Sequence, residues 1–100
     1  MSRRRAESAL RDDYEMRSDM LAEVDESIRE HYGIIAEQLA IIDRFVERAK
    51  RANMPQNEFI ARYHDYVDTL IGMKQDLVHK ERHRARLHQS MMGVVETYHF

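Results

Sequence analysis

The sequence contains no cysteine, no tryptophan, one proline and three glycines. Without cysteine there is no disulfide framework, no thiolate nucleophile and no cysteine zinc site. With so little proline and glycine there is little material for turns, so the 100 residues must fall into few, long elements. No stretch of about eighteen apolar residues occurs, which speaks against a spanning helix, and the N-terminal part lacks the short apolar block of a signal peptide. The expectation is a cytoplasmic protein without membrane insertion. Nucleophile–base pairs, phosphate-cradling glycine loops and paired carboxylates in a pocket are also missing, and hardly a loop remains on which to build an active site. The reading is non-enzymatic, with no cofactor and no metal assigned.

What is present is 43% hydrophobic content beside 34% charge, with a net charge of −2. That near balance argues against a nucleic-acid binder working by overall charge, although a local basic patch remains compatible with it. The apolar residues are regularly spaced instead of sparse, which argues against disorder.

Alternating steps of four and three from Leu10 give Leu10, Tyr14, Arg17, Leu21, Val24, Ile28, His31, Ile35, Gln38, Ile42, Phe45 and Ala49. All but Arg17, His31 and Gln38 are apolar. A seam held in phase for so long needs an unbroken helix, because a loop would reset the register. The same stepping from Phe59 gives Phe59, Tyr63, Tyr66, Leu70, Met73, Leu77, Lys80, Arg84, Leu87, Met91, Val94 and Tyr98, apolar except at Lys80 and Arg84. Between the seams lies Asn53-Met54-Pro55-Gln56-Asn57, where asparagine suits a helix C-terminus and proline the first turn of the next helix. The spacing predicts a helix over about 5–52, a turn over about 53–57 and a helix over about 58–97, all within one helical-hairpin domain spanning 1–100. Gly33 would cost about 1 kcal/mol inside the first helix. A bend there is expected in preference to a break, which would give three helices.

Beside the second seam runs another apolar stripe, Ile60, Val67, Ile71, Val78, Ala85, Met92 and Val95, which widens the apolar face beyond what one partner helix can cover. Self-association of two hairpins would cover it. The expected fold is therefore all-α, a long antiparallel helical hairpin assembling as a homodimeric four-helix bundle or coiled coil. Its seam would be carried by Leu21, Val24, Ile28, Ile35, Ile42, Phe59, Tyr63, Tyr66, Leu70 and Leu77. Ile60, Val67, Ile71, Met92 and Val95 are the candidate protein-partner surface, and the expected role is that of an adaptor, assembly or regulatory protein.

With the corner near residue 55, residue i should lie opposite residue 110 − i within about three positions, since both helices rise equally per residue. This sets Arg84 near Glu26, a contact that selects an alignment more than it stabilises one. It also sets Gln38 near Gly72 and Arg17 near Gly93, as though each glycine made room for a long side chain.

Two alternatives rest on polar residues. Arg44, Arg48 and Arg51 recur at helical spacing near the corner and could hold phosphates, although Asp43 and Glu47 interleave and no aromatic surface accompanies them. His79 and His83 lie four apart with Asp76 three before His79, a spacing that suits a metal site in a bundle, with Glu96-x-x-His99 as a second, partial motif. A His-x-x-x-His pair also arises often in charged helices that bind nothing.

Overall fold

The computed structural model describes residues 3–98, with side chains placed over 4–96. Two helices account for nearly all of it: α1, Arg3–Arg51, and α2, Gln56–Tyr98. No strand occurs among the described residues. The fold is an all-α helical hairpin, as the two in-phase seams require. Gly33 lies inside α1 without interrupting it, and no described glycine has a positive φ.

The corner is shorter than the sequence suggests, because α2 starts at Gln56, directly after the proline. α1 ends in a Schellman motif: the Met54 amide donates to the Ala49 carbonyl at 3.0 Å and the Asn53 amide to the Lys50 carbonyl at 3.3 Å. This geometry needs a left-handed residue, and Asn53 supplies it with a φ of 50°. Arg48, Lys50 and Arg51 fill the last turn of α1, where the helix dipole favours positive charge. Pro55 then accepts the first hydrogen bond of α2, from the Phe59 amide at 2.9 Å. Having no amide hydrogen of its own, proline loses nothing at this place.

Contacts divide the chain into two compact units, a corner unit over 29–78 and a terminal unit over 1–28 with 79–100. In the corner unit, Ile42, Phe45, Ala49 and Leu77 form the apolar core. Phe45 sits between two α2 rings seven residues apart, stacked on Phe59 at 5.5 Å and tilted against Tyr66 at 4.9 Å. His31 and Gln38 are also buried, each 7% exposed, two heptads and one heptad before Phe45 on the same row. Both reach across to main-chain carbonyls of α2: Gln38 Nε2 donates to Tyr66 at 3.1 Å, and His31 Nε2 lies 2.6 Å from the carbonyl of Met73. A carbonyl within a helix keeps a second lone pair for such a donor. No buried side-chain nitrogen or oxygen among the described residues lacks a partner.

Among the described residues of the terminal unit, Met91 is the buried apolar one. Arg84 meets Asp25, with Nε and Oδ1 2.5 Å apart, one residue from the expected Glu26. Arg17 is held from both helices, by Asp13 at 3.1 Å and by the Ser90 hydroxyl. The expected role of the glycines is overturned. A Cβ built at Gly33, Gly72 or Gly93 meets nothing within 4 Å, so none of them makes room for Gln38 or Arg17. Gln38 instead uses a backbone carbonyl, which needs no small neighbour.

Candidate interaction surfaces

Helical periodicity places each candidate side chain, and burial tells which face it serves. Along the expected seam, Ile42 and Leu77 are buried; Leu21, Val24, Ile28, Ile35, Phe59, Tyr66 and Leu70 are half-buried. Tyr63 remains 39% exposed, its ring stacked on Phe59 at 5.5 Å. Of the outward stripe, Ile60, Ile71 and Met92 are exposed, whereas Val67 and Val95 are half-buried. Val95 shares a surface depression with Arg11, Tyr14 and Glu15 of α1.

α1 carries apolar surface that the stepping along its seam did not single out: Met16, Met20, Tyr32, Ile34 and Leu39 are all exposed. The signal was available. From Tyr32 to Ile42 the only charged residue is Glu37, so this length of α1 is apolar on nearly every side. A helix of that kind ordinarily has neighbours all round.

Comparison of the chain with protein-family models, curated proteins and solved structures finds no match. The surfaces must therefore be judged by their own chemistry.

Arg44, Arg48 and Arg51 are exposed and line a shallow depression on α1 with Asp43 and Glu47. The three arginines make no ion pair among the described residues, whereas the neighbouring Lys50 is 3.7 Å from Glu47. The stripe is thus a solvated run of positive charge with two carboxylates set into it. Asp76, His79 and His83 are exposed on α2, and the buried His31 is engaged by the Met73 carbonyl. No group of three or more histidines, aspartates or glutamates is gathered to hold a metal ion among the described residues. The Glu96-x-x-His99 motif ends outside them. No described helix is long and apolar enough to cross a membrane.

Proposed function

We propose that this chain is a small non-enzymatic interaction protein of the cytoplasm, an adaptor or assembly subunit that acts through a dimeric helical bundle. One observation carries the reading. The chain exposes 7894 Å², against about 6,000 Å² for a compact folded monomer of 12.0 kDa. Among the described residues no large side chain is fully buried, and nine large apolar ones are exposed. Isolated apolar residues on a surface are ordinary, whereas this many on two helices mark a surface that is covered in use. The excess of about 1,900 Å² per chain, or about 3,800 Å² for two, falls within the range of obligate homodimer interfaces.

Light scattering coupled to size-exclusion chromatography tests the reading. A mass of twice 12.0 kDa is expected at micromolar concentration. A monomer that stays monomeric as concentration is raised would overturn it.

A second reading rests on the unpaired exposure of Arg44, Arg48 and Arg51. As a nucleic-acid contact they would give a gel shift that weakens steeply with salt and disappears when all three are replaced by glutamine. A shift indifferent to those substitutions would dismiss this reading.

A further inference from the structure

The apolar surface of the corner unit is not spread evenly, and its distribution points to where a second copy of this chain would sit. Six large apolar side chains are exposed in that unit: Tyr32, Ile34, Leu39, Ile60, Tyr63 and Ile71. The bracketing of Phe45 by Phe59 and Tyr66 fixes how the two inner rows face one another. On α1, Tyr32 and Leu39 lie four residues after the inner positions Ile28 and Ile35, and Val46 four after Ile42. On α2, Val67 lies four after the inner position Tyr63, and Ile60 seven before Val67. In an antiparallel pair, positions displaced in this sense from the inner rows fall on the same side of the seam, because reversing one helix leaves that side unchanged. Ile71, four beyond Val67, extends the same flank. Four of the six exposed residues, Tyr32, Leu39, Ile60 and Ile71, therefore share one flank to which both helices contribute, while Tyr63 stands on the inner row. The opposite flank differs: there Ile34 of α1 is accompanied on α2 by Arg62, Thr69 and Asp76.

We infer that this one flank of the corner unit, centred on Leu39 and Ile71, is the surface on which a second copy of the same chain docks. The inference rests on the dimer reading and narrows it to a place. Charge argues for a copy over an unrelated partner. A two-fold contact sets a surface against itself, so a border of one sign would repel. The charges bordering this flank are mixed, with Asp43 and Lys50 on α1 and His64, Asp68 and Lys74 on α2. Size agrees as well, since the apolar flank forms the dry centre of an interface whose total area the exposed surface of the chain can supply.

The full chain carries the test. Wild type, Leu39→Glu and Ile34→Glu are sized by light scattering, with circular dichroism reporting helix content. The expected result is a dimer for wild type and for Ile34→Glu, and a helical monomer for Leu39→Glu. A dimer lost through Ile34→Glu and kept in Leu39→Glu overturns the flank while leaving self-association intact. A monomeric wild type overturns both, and leaves the flank to a different chain. Should Leu39→Glu lose its helix content, single-cysteine variants decide, because the native sequence has no thiol to interfere. Maleimide labelling of Leu39→Cys should run several-fold slower than that of Ile34→Cys in the dimer, and equal rates overturn the inference.

Discussion

Gln38 of α1 donates its side-chain amide to the main-chain carbonyl of Tyr66 on α2, 3.1 Å away in a part-buried seam. Glutamine at such a place gives direction to a contact that apolar residues alone would leave free to slide. His31, one heptad earlier, makes the equivalent reach to Met73. Replacing Gln38 by leucine adds apolar burial, and it leaves the Tyr66 carbonyl with its own helical hydrogen bond. Gln38→Leu should therefore unfold at a temperature equal to or above wild type, by up to about 1 kcal/mol in stability. The alignment should suffer instead, seen as several assembly masses where wild type has one. A variant that is both less stable and uniform in mass would contradict this division of roles.

Phe45 is the residue whose loss should be felt most. It is 4% exposed and touches rings on both sides. Phe45→Ala is expected to lower unfolding stability by about 3 kcal/mol, at the lower end for a buried phenylalanine because the core is one side chain deep. Urea titration followed by circular dichroism measures it. A loss under about 1 kcal/mol would mean that Phe59 and Tyr66 close the gap on their own.

At the corner, Asn53 holds a backbone conformation that asparagine tolerates and β-branched residues do not. Asn53→Gly should leave stability unchanged or raise it slightly, and Asn53→Val should lower it by about 1–2 kcal/mol. The order of the three thermal midpoints is the result to check.

Gly33 and Gly72 offer a comparison within one protein. Both are helical, and a Cβ at either meets open space. In the isolated chain each change to alanine should stabilise by about 0.5–1 kcal/mol. A gain at Gly72 without one at Gly33 would show that something packs closely against α1 between Tyr32 and Ile34. Thermal melts across a concentration series would then separate the chain's own stability from that of its assembly.

The two seams were legible in the sequence because burial on a helix repeats every three to four residues, and turn chemistry marked the corner through Asn53 and Pro55. The level at which the helices face one another was legible only in part: equal rise per residue set Arg84 within one residue of Asp25, but it set Gln38 and His31 opposite positions 72 and 79, six residues from the carbonyls of Tyr66 and Met73 that they reach. The partners themselves were not. Gln38 takes a backbone carbonyl at Tyr66, and carbonyls leave no mark in a sequence. The glycines misled for a related reason, since a missing side chain looks the same whether it makes room for a neighbour or faces open space. On the candidate surface, Ile60 and Ile71 emerged from heptad spacing, whereas Tyr32 and Leu39 were passed over. They flank a seam already in use, and a stepping rule that follows one row does not look beside it.

The cross-helix contacts form a ladder in chain separation: Phe45 and Phe59 are 14 residues apart, Gln38 and Tyr66 are 28, His31 and Met73 are 42, Asp25 and Arg84 are 59, and Arg17 and Ser90 are 73. The entropy lost on closing a loop grows with its length, so the first rung is the easiest to make and each rung shortens the free chain before the next. The order of folding expected from this ladder is a zipper that starts at Phe45 and Phe59 and runs outward. On the ribosome the whole of α1 is synthesised before α2, so its oily side waits exposed until Phe59 emerges to start the closure.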